Sequence, residues 1–267
     1  MTTPAVLVDE DRGVVRVTIN RPEARNTLWA EVVTGIRSAL SFARNDIPHL
    51  RAFVLRGAGG TFCAGGDLKE FKSGFQESGP PDLRSIAAVN RGGGELFSDL
   101  AELPGLTIAA VEGAAIGGGF GLAAIADITI ATTTTTFAMS ETSLGLLPAQ
   151  IAPFVADRIG LHHTRRLTMT AARIDTTEAY RIGLADEVVD DSTALDAAVD
   201  RHIKRVRRCA PGANARSKAL IARIPSTPRD ELLDLAAGQF AEAMAGPEAR
   251  AGLRAFLDHT APPWVPE

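Results

Sequence analysis

Cysteine is scarce: Cys63 and Cys209 are the only two. Two distant thiols make neither a disulfide framework nor a zinc site, and they suit a reducing cytoplasm. Basic charge is not in excess either. Lys and Arg number 28 against 32 Asp and Glu, a net charge of −4 with a pI of about 5.8, which argues against a nucleic-acid binder held by phosphate contacts. No apolar run reaches the roughly 20 residues a membrane span needs. The stretch from Met1 to Asp9 lacks a basic region and a long apolar segment, so no signal peptide is expected. Several catalytic templates are missing: there is no G-x-S-x-G elbow, P-loop or H-E-x-x-H. The five histidines (His49, His162, His163, His202, His259) show no metal-ligand spacing. What remains is ordinary for a soluble globular chain, 45% hydrophobic and 22% charged, and its 267 residues can bury a sizeable core.

Val6–Val8 and Val14–Asn20 flank Glu10-Asp11-Arg12-Gly13 and read as a β-hairpin. Trp29 to Ala43 places Val32, Val33, Ile36 and Leu40 at helical spacing. Arg51–Arg56 reads as a strand, Gly57 to Gly66 as a glycine-rich loop, and Ser73 to Asp82 as a mobile surface loop. Leu83 to Leu103 reads as a helix that Gly92-Gly93-Gly94 weakens in its middle. Thr107–Val111 is a buried strand, Gly117 to Ala126 a small-residue helix, and Asp127–Ala131 and Phe137–Met139 are further strands. The five threonines Thr132 to Thr136 read as extended loop. Alternating strands and helices predict an α/β fold with a largely parallel sheet. After about Thr193 the pattern is helical throughout, which predicts a body over residues 1–195 and a helical region over 196–267. The basic stretch Arg201 to Arg208 reads as a solvated helix face.

Two glycine clusters and one carboxylate stand out. Gly60 to Lys69 follows a strand with small residues that let a ligand approach the main chain, and Asp67 can cap a following helix. Glu112 to Gly121 lies between a strand and a helix start, where unpartnered N–H groups and the helix dipole favour negative charge. A tight turn and close helix-on-sheet packing explain each cluster equally well in isolation. Gly119 to Ala124 also fits G-x-G-x-x-A, but mid-chain and with Glu141 beyond two short strands it is weak evidence for a dinucleotide site. Glu141 sits among apolar and small residues. Burial there raises a carboxyl pKa toward the range useful for proton transfer, whereas a solvated or capping glutamate is the plainer reading of the same residue.

Taken together, the segments Asn20-Arg21-Pro22-Glu23-Ala24-Arg25-Asn26, Phe62 to Lys69 and Gly117 to Asp127 resemble, in order and spacing, the crotonase (enoyl-CoA hydratase/isomerase) superfamily over essentially the whole chain. The resemblance implies a spiral of ββα units with a helical tail that forms a trimer or a dimer of trimers. It implies an acyl-CoA thioester as substrate, with no metal or separate cofactor, no nucleic acid and no membrane. By position, Ala64 and Gly118 would donate the two N–H groups of an oxyanion hole. Ala24, Arg25 and Ala64, Gly65, Gly66, Asp67 and Leu68 would lie along the CoA. Glu141 matches the second catalytic glutamate of the hydratases, and Phe240 a tail aromatic near the acyl pocket.

Two departures matter. The first catalytic glutamate is replaced by Gly121, which is expected to open space for a substrate carboxylate or a water. The usual glycine-rich stretch reads Pro148-Ala149-Gln150-Ile151-Ala152-Pro153, with Gln150 able to hold a water. The run from Ser140 to Val155, with Gly119 to Leu122, resembles the branched glutaconyl-CoA hydratases, isohexenylglutaconyl-CoA hydratase among them. The implied activity is a hydratase-type lyase. A Δ3,Δ2-enoyl-CoA isomerase and an acyl-CoA-binding paralogue with little catalysis stay open.

Overall fold

Arg12 and Gly13, both at positive φ (47° and 80°), close the expected hairpin with the backbone handedness that a two-residue turn needs to match strand twist. It joins β1 (Val6–Asp11) to β2 (Val14–Ile19) in antiparallel register, from Val6↔Ile19 to Asp11↔Val14. The computed structural model describes residues 3–66 and 82–265. Asp67, Leu68 and all but the last residue of the expected 73–82 loop lie outside the described residues. Asp82 caps the next helix, its carboxylate accepting from Arg84 N–H at 3.0 Å.

Beyond the hairpin come α1 (Ala30–Asn45), β3 (Ala52–Gly57), α2 (Leu83–Ala101), β4 (Leu106–Val111), β5 (Ala114–Ile116), α3 (Gly118–Ile125), β6 (Ile128–Thr132) and β7 (Thr136–Ala138). A 3-10 turn (Glu141–Leu144) leads to α4 (Ala152–Thr170), β8 (Arg173–Ile174), α5 (Thr176–Arg181) and β9 (Glu187–Val189). The chain ends in α6 (Ser192–Val206), α7 (Pro211–Ala222), α8 (Arg229–Ala245) and α9 (Pro247–Leu257). The large sheet has the order β1-β2-β3-β4-β6-β9 and is parallel beyond the hairpin. A second sheet, β5-β7-β8, pairs β5 with β7 in parallel. Each successive pair, β4 with β5 and β6 with β7, gives one strand to each sheet and then feeds a helix. That is the expected ββα spiral. The sequence pattern hid the second sheet because β5 is three residues long and lies inside the glycine cluster.

Strand alternation divides the core into two faces. Val15, Val17, Phe53 and Leu55 point to one side, where α1 to α4 pack and Phe62, Phe120 and Phe137 are fully buried. Val14, Val54, Ile108 and Ile130 point to the other side, where α6 lays Leu195, Ala198, Val199 and Ile203. The expected boundary at 195/196 therefore falls inside α6, a single helix whose apolar stripe belongs to the body. The basic stretch on α6 is partly paired: Arg201 binds Glu187, and Arg207 binds Asp11 at 3.2 Å. The tail proper is α7 to α9, and α7 and α8 bury no residue. Arg51 fastens this tail to the body, donating to the carbonyls of Cys209 (2.7 Å) and Trp264 (2.8 Å). Among the described residues, no helix is long and apolar enough to cross a membrane.

Candidate active site

Asn26 ties the first two parts of the site together. Fully buried, it accepts from Arg21 N–H at 2.8 Å and donates to the carbonyls of Ala58 and Thr61. The 20–26 turn is thereby fixed against the loop that follows β3. That loop is zipped onto β5: Phe62 N–H reaches the Glu112 carbonyl (2.8 Å), Cys63 N–H that of Ala114 (2.9 Å), and Ile116 N–H that of Cys63 (2.9 Å). On its other side Leu28 N–H donates to Gly65 at 2.7 Å. The loop's amides are then accounted for one by one. Ala64 N–H donates to the Arg25 carbonyl at 3.0 Å, and Gly65 N–H bonds Cys63, whose thiol burial pushes up to about 12. The expectation that Ala64 donates to a thioester oxygen is corrected accordingly, because its N–H is already engaged. Gly66 N–H, next in line, has no partner among the described residues.

The second loop meets the first at Gly117. This residue has φ 53° and ψ −116°, a backbone region open essentially to glycine alone. Its N–H donates to Ala138 at 2.8 Å, and a Cβ placed on it would lie 3.8 Å from Gly65 Cα and 3.0 Å from Glu141 Oε1. Gly118 is the first residue of α3. Its N–H is one of those a helix leaves without an internal partner, and none is found among the described residues. The helix start, the Gly65–Gly66 turn and the Glu141 carboxylate therefore converge on Gly117.

Glu141 opens the 3-10 turn after β7. Its Oε2 is buried with no hydrogen-bond partner among the described residues. Desolvation raises its pKa above the ordinary 4.5, opposed by a bond from its own backbone N–H. An ionisable oxygen held out of water and left unbonded is costly in a resting fold. It is also poised to accept a proton.

The place expected beside Gly121 is not open. A Cβ at Gly121 would lie 2.4 Å from Ile151 Cγ2, 2.9 Å from Ile151 Cβ and 3.3 Å from Phe97 Cε1. The vacated space of a second glutamate is filled with hydrocarbon, which corrects the expectation of a substrate carboxylate or water there. Gln150 leans the other way, against α2. Its Nε2 donates to Asn90 Oδ1 at 2.7 Å, and a Cβ at Gly94 would sit 2.0 Å from its Oε1. Ala24 is half-buried in a short 3-10 turn and Arg25 is exposed. Among the described residues the Arg25 guanidinium has no ion-pair partner. Phe240, 68% exposed on α8, is not packed into a pocket of its own chain. Sequence reasoning missed Asn26 as the pin, Ile151 and Phe97 as the wall, and Asn90 as the partner of Gln150. Asn26 carried a signal, the last position of the quoted N-R-P-x-x-x-N segment. The wall residues are ordinary apolar positions and carried none. Among the described residues, no group of three or more His, Cys, Asp or Glu side chains is arranged to hold a metal.

The profile described as "Enoyl-CoA hydratase/isomerase" matches residues 9–266. Among solved structures, an enoyl-CoA hydratase/isomerase from Marinobacter aquaeolei superposes with a TM-score of 0.93 at 41% identity, covering 98% of this chain and 99% of that one. Pseudomonas aeruginosa AtuE superposes with a TM-score of 0.93 at 44% identity, covering 98% and 100%. The enoyl-CoA hydratase ACTT6 of Alternaria alternata is 32% identical, covering 92% of this chain and 79% of that protein. Human mitochondrial methylglutaconyl-CoA hydratase is 32% identical over 77% of this chain and 59% of its own length.

Proposed function

Because the chain belongs to the enoyl-CoA hydratase/isomerase family, we propose that it adds water across the double bond of an enoyl-CoA thioester, with Glu141 as the proton-transferring group. The observation that carries this reading is the buried, unbonded Oε2 of Glu141 beside the Gly117 turn. In the proposed geometry the thioester oxygen accepts from Gly118 N–H and Gly66 N–H. Fixed dipoles of this kind act most strongly when negative charge gathers on that oxygen. Water bonds to Glu141 Oε2, its oxygen attacks C3, and Glu141 takes the proton released. The same proton passes to C2 as the enolate collapses, so one water is added and the carboxylate is restored. Arg25 faces the CoA phosphates. The free amide donors of Asn90 and Gln150 suit a polar group on the acyl chain, such as the carboxylate of a β-branched glutaconyl thioester. The similarity to methylglutaconyl-CoA hydratase supports that substrate class.

A second reading has one observation in its favour. With Ile151 and Phe97 in the place of a second acid, a lone carboxylate suffices to take a proton from C2 and return it to C4, which is Δ3,Δ2 isomerisation. Incubation with linear and β-branched enoyl-CoA thioesters, with product masses recorded, separates the two. Hydration adds the mass of one water and isomerisation adds none; no conversion across the panel would overturn both.

We also propose that the chain works as a trimer or a dimer of trimers, in the cytoplasm, where its two free thiols stay reduced. The exposed apolar side chains of α8, Leu233, Phe240 and Met244, support this because a helix with no buried residue needs a partner for that surface. Light scattering at micromolar concentration should give at least three times the 28.1 kDa chain mass; a monomer would contradict it.

A further inference from the structure

Gly121 lies on α3 three residues beyond Gly118, so the two share a helix face. Phe97 of α2 reaches both: its ring lies 3.9 Å from a Cβ placed at Gly118 and 3.3 Å from one placed at Gly121. Ile151, the residue capping the start of α4, closes the same space from the opposite side. Both side chains are buried, at 6% and 4% exposure, and Ile151 is fixed at both backbone ends. Its N–H donates to Pro148 at 3.2 Å and its carbonyl accepts from Val155 at 3.0 Å. A contact of 2.4 Å to the Cγ2 of a β-branched, backbone-anchored residue is not relieved by a rotamer change alone, because such side chains are stiff at χ1.

We infer that Ile151 is a specificity-determining residue: it interlocks with Gly121, excludes a second carboxylate from the site, and presents hydrocarbon to the acyl group beside the reacting carbons. Position 121 is glycine because position 151 is large, and the two must change together. The inference rests on the proposed acyl-CoA site for its substrate half only. The substrates it selects carry hydrocarbon, not charge, on the side toward Ile151, and any acyl carboxylate lies elsewhere, on the Asn90–Gln150 side.

The test is a double-mutant cycle read first by melting, without substrate. Gly121→Glu and Ile151→Gly should each melt below the wild type. The pair together should melt above Gly121→Glu alone, because the glutamate then has the space Ile151 held. Glycine is tolerated at a helix N-cap, so Ile151→Gly does not break α4 by itself. Additive losses, or a Gly121→Glu variant that melts like the wild type, would overturn the interlock. If Gly121→Glu and the pair both fail to fold, Gly121→Ala with Ile151→Ala repeats the cycle, since the added methyl meets the same Cγ2.

The second readout is calorimetric affinity for butyryl-CoA and its 3-methyl-branched counterpart, which needs no turnover. Ile151→Ala should change the ratio of the two affinities by about 10-fold or more, the usual worth of a methyl group against an apolar wall. An unchanged ratio overturns the specificity role. A protein that turns over no enoyl thioester sinks the hydratase reading but leaves both of these measurements standing.

Discussion

Two helices in this protein are rich in glycine, and their glycines are there for different reasons. In α3 every glycine meets something. A Cβ would strike Leu28 at Gly118 (2.7 Å), the Cys63 carbonyl at Gly119 (2.2 Å) and Ile151 at Gly121 (2.4 Å). In α2 the run Gly92-Gly93-Gly94 is mixed. Nothing lies within 4 Å of a Cβ at Gly92 or Gly93, and only Gly94 has a neighbour, the Gln150 side chain. Composition alone gives both helices the same low propensity. The structure separates a helix squeezed against the loop that follows β3 from one that keeps open surface, and of the two only the first starts beside the buried Glu141 carboxylate.

That separation fails most visibly if the carboxylate does nothing. Glu141→Gln nearly preserves shape and removes the proton-transferring group. Turnover should fall by about 10²–10⁴-fold while CoA-thioester binding survives. Near wild-type kcat would remove Glu141 from the reaction and, with it, the reason to treat the start of α3 as a site. The pH dependence follows from the raised pKa. As a base Glu141 works deprotonated, so the acid limb of kcat/KM should lie above the ordinary glutamate range and vanish in the variant. Stability runs the opposite way. A pKa raised by folding means the neutral form is favoured in the fold, a contribution fully present below the unfolded pKa and lost as pH rises through the raised one. Glu141→Gln should therefore raise Tm at neutral pH, and the gain should shrink at pH values below the ordinary 4.5.

The next effect isolates a single N–H on α3. Gly118→Pro removes the donor, and proline is well tolerated at the first position of a helix. Losing one oxyanion donor typically costs about 10²–10³-fold in kcat. Gly118→Ala is the control: it crowds Leu28 just as proline does but keeps the N–H. Comparable activity of the two variants would show that crowding, and not hydrogen bonding, accounts for this glycine.

The hairpin, the parallel sheet and the helical tail were legible in the sequence, because strand alternation and helical spacing are local. So was the convergence on Glu141, since the order of three motifs along the chain carried it. What was illegible depended on which atoms meet across elements. Ala64 looked like a donor until its N–H was found on the Arg25 carbonyl, a pairing between residues 39 apart that no local pattern encodes. Gly121 looked like an opening because glycine is small. Whether small means empty depends on Ile151, thirty positions away and folded back over it. The second sheet was missed for a related reason: Phe137–Met139 read as a strand, but its partner β5 is three residues inside a glycine cluster and carries too little periodicity to register.

The smallest effect sharpens the comparison within α2 itself. Gly92→Ala adds a methyl to open space in a helix interior, so it should stabilise the protein by about 1 kcal/mol through propensity alone. Gly94→Ala gains the same propensity, but its methyl would lie 2.0 Å from Gln150 Oε1 and 2.8 Å from its Cδ. Gln150 has a flexible side chain and can swing away, so the helix survives, but its 2.7 Å bond to Asn90 does not. A typical net hydrogen bond is worth about 0.5–1.5 kcal/mol, so Gly94→Ala should fall short of Gly92→Ala by roughly that amount. The double variant Gly94→Ala with Gln150→Ala supplies the check. With the obstructing amide gone, the methyl at 94 should recover most of its propensity gain relative to Gln150→Ala alone. Denaturant titration of the wild type and the four variants at constant m reads this directly. If Gly92→Ala and Gly94→Ala stabilise equally, Gln150 is not held against α2 in solution, and the paired Asn90–Gln150 amides lose their place as the polar side of the acyl site.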